Sequence, residues 1–277
     1  MVKPDRRLKA DIADACKHQL TLESFGVRVR IASNSASGLK KLFEIAKTAV
    51  GGKYKLLDGA TAEHTLTHIR KKNSSDDLYK DGELIAGERI RDSVLRQFPT
   101  ELRITVAEFA RRRVFVHAGA VSWKGKGIIL PAKSFQGKST LTAELVKLGA
   151  KYFSDEYAVL DVRGRIHPFP KPLSLRGIID ELTQLDHEVE ELGGSAARRP
   201  VPVRLVVLTE YKPSGKWDPK ILPTGQSVFE IMRHAVPTRR YPEFTLSVLN
   251  LVSNQSKVVK TQHANAAEAA RRIIESL

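Results

Sequence analysis

The run Gly137-Lys138-Ser139-Thr140 constrains this chain more than any other feature. It follows the apolar stretch from Gly127 to Pro131 and precedes Leu141, Leu145, Val146 and Leu148, which recur at helical spacing. A phosphate-binding loop needs a strand, a glycine-containing loop and a helix in that order, although a stray Gly-Lys-Ser-Thr at a helix start would read the same. Backbone N–H groups at the helix start point toward phosphate oxygens, and the helix dipole favours negative charge there. In such a loop the lysine reaches the terminal phosphates and the hydroxyl beside it holds Mg²⁺. The expected phosphate-binding residues are Ser134, Phe135, Gln136, Gly137, Lys138, Ser139 and Thr140. Two positions depart from the full pattern. Ala132 stands where the first glycine is usual, and Phe135 where a further glycine is common; a side chain at either place restricts torsion and close approach.

The neighbouring text reads as an α/β domain. Val114 to Val121 is strongly β-forming, and Lys124-Gly-Lys-Gly turns it into the strand that feeds the loop, which predicts a hairpin. Gly149 closes the helix after the loop. Tyr152 to Leu160 reads as one strand with Asp155 and Glu156 in its middle, and further strands are expected at Val203–Leu208 and near Phe244–Leu249. Glu188–Arg199 reads as a charged, mobile loop, and Asn265–Leu277 as an amphipathic helix. Residues 1–104 read as a smaller α+β lobe. It holds a strand from Phe25, a helix through Leu39, Leu42 and Ala46, and an ambiguous segment at Thr61–Ile69. A polar turn at Lys71–Asp77 follows, then a strand leading into a helix that ends near Pro99. A second helix is expected from Val106 to Arg112, placing residues 105–277 in the loop-bearing domain.

Composition excludes several classes. With 277 residues, 42% hydrophobic and 28% charged, the chain has ordinary globular usage. It has no apolar run long enough to cross a membrane and no apolar leader, so the cytoplasm is the expected compartment. The net charge of +15 is evenly spread: 23 basic against 15 acidic residues up to Phe115, and 23 against 16 beyond. An even excess suits a polyanionic ligand. Without a basic tail, a zinc-finger pattern or an RNA-recognition signature, nucleic acid is not the expected partner.

The succession of His117-Ala-Gly-Ala-Val, the hairpin, the loop, the leucine-rich helix, Ser154-Asp155-Glu156 and Gly164-Arg-Ile-His-Pro-Phe-Pro-Lys171-Pro-Leu-Ser-Leu-Arg176 resembles one family. It is similar to the catalytic domain of HPr kinase/phosphorylase and its shorter relatives, over about residues 110–180. The resemblance implies a P-loop kinase domain of the HPr kinase/phosphoenolpyruvate carboxykinase type, built on a mixed β-sheet. It implies ATP and Mg²⁺ as cofactors and a hydroxyl acceptor, a serine of a protein or peptide or a small molecule. By position, Lys138 would bind the β- and γ-phosphates. Ser139 and Asp155 would hold the metal, Asp155 would take the hydroxyl proton, Glu156 would support it, and His117 would lie at the reacting centre. Family members often oligomerise, so a homo-oligomer fits the resemblance. Pro168-Phe-Pro-Lys-Pro replaces the Glu-x-Arg-Gly segment of the HPr-specific enzymes, which turns the expectation away from HPr itself. The competing reading is a catalytically weak, nucleotide-binding regulatory protein with a degenerate loop.

Other residues are weighed beside these. Lys171, Arg176, Arg239 and Arg240 could meet phosphate or an acidic substrate, but such residues are more often solvated. His64 and His68 are four apart without a third metal ligand nearby, Arg111–Arg113 reads as a solvated helix face, and Cys16 has no activating partner.

Overall fold

The computed structural model describes residues 16–71, 75–132, 137–176 and 184–277. The chain is of mixed α and β structure and divides into two units, Met1–Arg111 and Arg112–Leu277.

In the first unit, β1 (His18–Ser24) and β2 (Val27–Ser33) form a hairpin. Its turn is Phe25-Gly26, both at positive φ. The strand expected from Phe25 therefore starts in this turn, and β1 before it was not foreseen. Helix α1 (Ala36–Ala49) is N-capped by Ser35, whose hydroxyl accepts from the Gly38 N–H, and buries Leu42, Ala46 and Ala49. β3 (Lys55–Leu57), β4 (His64–Arg70), β5 (Ser75–Lys80) and β6 (Glu83–Ile90) complete a sheet of order β3-β1-β2-β4-β5-β6, in which only β2 and β4 pair in parallel. The ambiguous segment is thus a strand, and the expected polar turn gives way to β5 from Ser75 onward. Helix α2 (Arg91–Phe109) runs through Pro99 without stopping. Val94, Leu95, Phe98, Leu102 and Val106 are all buried, so one continuous apolar stripe outweighs the hydrogen bond that proline cannot make. Two expected helices are one, and the units divide after it rather than at residue 104.

In the second unit, β7 (Arg113–Trp123) and β8 (Lys126–Pro131) form the expected hairpin, turning at Lys124-Gly125. Helix α3 (Lys138–Lys147) follows, closed by Gly149 at φ +96. Next come β9 (Lys151–Ser154), β10 (Tyr157–Asp161), β11 (Arg165–His167), the pair β12 (Leu173–Arg176) and β13 (Gln184–His187), and β14 (Val201–Tyr211). The chain ends with β15 (Lys220–Ile221), α4 (Thr224–Met232), α5 (Pro242–Gln255), β16 (Lys257–His263) and α6 (Ala266–Glu275). The main sheet has the order β11-β10-β7-β8-β14-β16-β15, with β9 beside β7 and β11 also paired to β14. β8, β14 and β16 run parallel; the other pairings are antiparallel.

Both faces of this sheet are covered. Val206 and Leu208 of β14 join Val228 and Ile231 of α4 and Val248, Leu249 and Val252 of α5 on one face. Leu205 and Val207 join Leu141 and Leu145 of α3 and Ile273 of α6 on the other. A strand apolar on both sides is the mark of a parallel core. The strand expected near Phe244–Leu249 is helical. Pro242 opens α5, and Thr245, Val248, Leu249 and Val252 repeat at the helical period. The expected loop at Glu188–Arg199 contains a short 3₁₀ turn, Val189–Leu192, and Ala196 bridges to Tyr152. Among the described residues, no helix is long and apolar enough to cross a membrane.

Gly119 lies on β7 beneath α3. A Cβ there would stand 2.3 Å from Thr142 Oγ1 and 3.4 Å from Lys138 Cγ. Replacing Gly119 with alanine should cost about 1–3 kcal/mol of stability by overpacking. Urea unfolding measures this; an unchanged midpoint would contradict the close seating of α3 on β7.

Candidate functional site

Gly137, at φ +79, caps α3 without a side-chain hydrogen bond. The first N–H groups of the helix have no acceptor within it. Ser134, Phe135 and Gln136 lie outside the described residues, so the structure speaks for Gly137, Lys138, Ser139 and Thr140. Thr140 is exposed on the first turn. The Lys138 ammonium folds back over β7 and donates to His117 Nε2 at 2.8 Å. The Ser139 hydroxyl turns the other way and donates to Asp155 Oδ2 at 3.3 Å.

Asp155 and Glu156 occupy a turn between β9 and β10, not the middle of one strand. The Ser154 hydroxyl holds that turn by accepting from the N–H groups of Glu156 and Tyr157, both at 3.1 Å. The Ala118 N–H donates to the Glu156 carbonyl, which ties the turn to β7 one residue from His117. Pairing of β10 with β7, and packing of α3 on β7, therefore bring the sequence-distant His117, Lys138, Ser139, Asp155 and Glu156 together.

The Asp155 carboxylate is only 4% exposed and accepts from four donors. Tyr152 Oη and Lys171 Nζ meet Oδ1 at 3.1 and 3.0 Å, while Ser139 Oγ and the Ser174 N–H meet Oδ2 at 3.3 and 3.1 Å. Lys171 also stands 3.7 Å from Glu156 and donates to Ser174 Oγ at 3.2 Å. Sequence reasoning weighed Lys171 as a contact to phosphate or an acidic substrate, against a solvated surface position, and missed Tyr152 and Ser174. Lys171 lies in a proline-rich stretch with no helical or strand period, so no pattern aimed it at the acids. Tyr152 reads as an ordinary strand residue.

Burial holds the His117 imidazole down at about 4; the Lys138 charge pushes in the same direction, against Glu156 and Asp155. Burial also lowers Lys138 to about 8, partly offset by the two acids, with Lys171 adding to the depression. At neutral pH a protonated Lys138 thus donates to a neutral His117. Burial, then Asp155, raises the Tyr152 hydroxyl well above its ordinary value, so it remains a donor.

A cleft of about 690 Å³ opens at the carboxyl ends of β8, β14 and β16, lined by Pro131, Thr209, Glu230, Arg233, His234 and Lys260 among others. His234 connects it to the site, because its carbonyl accepts the His117 N–H at 2.8 Å. Open α/β sheets bind ligands at this end of their strands.

The remaining candidates fall elsewhere. His68 is a buried link between Ser33 Oγ (3.2 Å) and Asp76 Oδ2 (2.8 Å), and His64 bonds Asp81. Ser33, His68 and Asp76 are at most 2% exposed, so this chain pins β2, β4 and β5 and admits no substrate. No group of three or more metal-ligating side chains occurs among the described residues. Burial pushes the Cys16 thiol up, away from nucleophilic use. Arg111 pairs with Glu63 in the turn after α2, Arg239 ends a 3₁₀ turn that Arg240 caps, and Arg176 ends β12. No family model matches the chain, and no curated protein sequence matches it.

Lys171→Met would remove the ammonium that lies 3.0 Å from Asp155 and 3.7 Å from Glu156. Removing one side of a buried ion pair leaves the other charge poorly compensated. Urea unfolding should show a loss of about 3 kcal/mol for Lys171→Met and a smaller one for Lys171→Arg, which keeps the charge. Equal losses in the two variants would contradict the ion-pair role.

Proposed function

We propose that this chain is an ATP- and Mg²⁺-dependent kinase that transfers the γ-phosphoryl group to a hydroxyl, with a P-loop domain of the HPr kinase/phosphoenolpyruvate carboxykinase type. The observation that carries this reading is one convergence: Lys138 and Ser139, on the first turn of α3, lie within hydrogen-bond reach of His117 and Asp155 respectively. Phosphoryl transfer asks a protein for charge neutralisation and in-line positioning, with little covalent work. Helix-start N–H groups that Gly137 cannot cap with a side chain, and a lysine beside them, supply the first; a carboxylate next to the lysine helix supplies the second.

The donor set fits magnesium. Ser139 Oγ and Asp155 Oδ2 are two hard oxygens 3.3 Å apart, and Mg²⁺ on phosphates needs only one or two protein ligands. When bound there it would neutralise charge on the phosphoryl oxygens. Lys138 would leave His117 for the phosphates, and neutral His117 would remain at the reacting centre. Lys171, already between Asp155 and Glu156, needs only a short shift to release Asp155 Oδ1. Asp155 would then orient the acceptor hydroxyl and take its proton. The cleft past His234 is lined by charged side chains of both signs, including Lys260, Arg233 and Glu230, which suits a polar acceptor.

One observation favours the second reading, a nucleotide-binding regulatory protein: all four donors around Asp155 are already satisfied by it. Release of γ-labelled phosphate from Mg–ATP, to water or to an acceptor, separates the two. Kinase action predicts turnover that falls by about 10²-fold or more in Asp155→Asn. Absence of turnover in the native protein, or an unchanged rate in the variant, would overturn it.

Phosphate binding needs the charged form of Lys138. Nucleotide affinity should therefore fall as pH rises above about 8, with proton uptake on binding. Calorimetry in buffers of different ionisation enthalpy reads that uptake; a buffer-independent heat near that pH would contradict it.

A further inference from the structure

His263, the last residue of β16, has no place in the chemistry described so far. It is 3% exposed, and its Nδ1 lies 3.0 Å from Thr209 Oγ1 on the neighbouring strand β14. Its Nε2 is buried and has no hydrogen-bond partner among the described residues. A buried polar atom without a partner costs free energy comparable to a lost hydrogen bond, so it is a rare feature that invites a ligand.

The direction of that atom is defined. From where a Cβ on Gly137 would stand, Nε2 is the nearest ring atom at 3.7 Å, with Cε1 at 3.9 Å. The Tyr211 ring lies edge-on to the imidazole, 5.9 Å between centroids, and Tyr211 Cβ stands 3.1 Å from the same point beside Gly137. Two independent features therefore meet at one point: the start of the ten-residue helix α3, where Gly137 offers no side-chain cap, and an imidazole edge from the carboxyl end of the parallel strands that is unsatisfied among the described residues. The first attracts an anion. The second supplies a hydrogen-bond donor if the ring carries its proton on Nε2, which follows when the Thr209 hydroxyl donates to Nδ1.

We propose that His263 is a phosphate ligand of this site, its Nε2–H donating to a phosphoryl oxygen held at the start of α3. The inference rests on the phosphate-binding reading above and adds a residue from β16 that Gly137-Lys-Ser-Thr does not contain. Burial lowers the His263 imidazole, so it acts as a neutral donor at pH 7. Lys138 then brings the positive charge, and His263 with the helix N–H groups brings direction. Thr209 also lines the cleft beyond β8, so the same hydroxyl that sets the tautomer borders the proposed acceptor space.

The test uses inorganic tripolyphosphate with Mg²⁺ as probe, titrated calorimetrically into the native protein, His263→Phe and His263→Gln. Phenylalanine keeps a planar, slightly larger ring and removes both nitrogens, whereas the glutamine amide nitrogen can stand in for Nε2. The expected result is binding by the native protein, a loss of about tenfold in affinity for His263→Phe, and substantial retention for His263→Gln. In parallel, nitrogen-15 spectra of histidine-labelled native protein should show a protonated Nε2 that shifts on adding tripolyphosphate. Native-like affinity in His263→Phe, or an Nε2 resonance unmoved while the probe binds, would overturn the role of His263 and leave the phosphate site standing. No binding by the native protein would remove the phosphate site itself and this inference with it. If His263→Phe does not fold, the native-protein spectra decide alone.

Discussion

The carboxylate of Asp155 is the junction on which the second unit's site depends. Its four donors come from four different segments: Tyr152 on β9, Ser139 on α3, Lys171 in the stretch before β12, and the backbone of Ser174 on β12. Each contact taken alone is modest, since one hydrogen bond to a charged group nets about 1.5–3 kcal/mol. Together they fix where the helix start, the acid turn and the proline-rich segment meet. A buried carboxylate demands such compensation, because an unpaired charge in that position would oppose folding. Under the proposed function, the same saturation means that a ligand would have to draw Lys171 or Ser139 away before Asp155 could act on an acceptor.

Around that junction the charges are arranged in alternation. Lys138 is held beside a neutral histidine, and Lys171 beside two acids. Burial makes the Lys138 charge costly, which is why the lysine is depressed. Under the proposed function, a polyanion beside it would offset that cost.

Much of this was legible in the sequence, for local reasons. The β7–β8 hairpin, α3 and its glycine end rest on short-range turn chemistry and periodicity, which adjacent residues carry. Gly137, Lys138 and Ser139 stand out as a local motif, whereas His117, Asp155 and Glu156 were singled out through the family resemblance. The failures have physical causes too. Phe244–Leu249 looks β-forming in isolation, but Pro242 and a stripe through Val252 make it a helix packed on β14. Pro99 reads as a stop, yet it sits inside α2 because tertiary burial of Phe98 and Leu102 dominates. Tyr152, Ser174 and His263 were invisible because their roles come from strand pairing across tens of residues, where no local period points at a partner.

The central claim is that the start of α3 binds the phosphates of a nucleotide through Lys138. Calorimetric titration of Mg–ATP into the native protein and into Lys138→Ala tests it most directly. The account requires saturable binding by the native protein, near micromolar, that the substitution abolishes while thermal unfolding shows an intact fold. Equal binding by both proteins, or none by either, would contradict it.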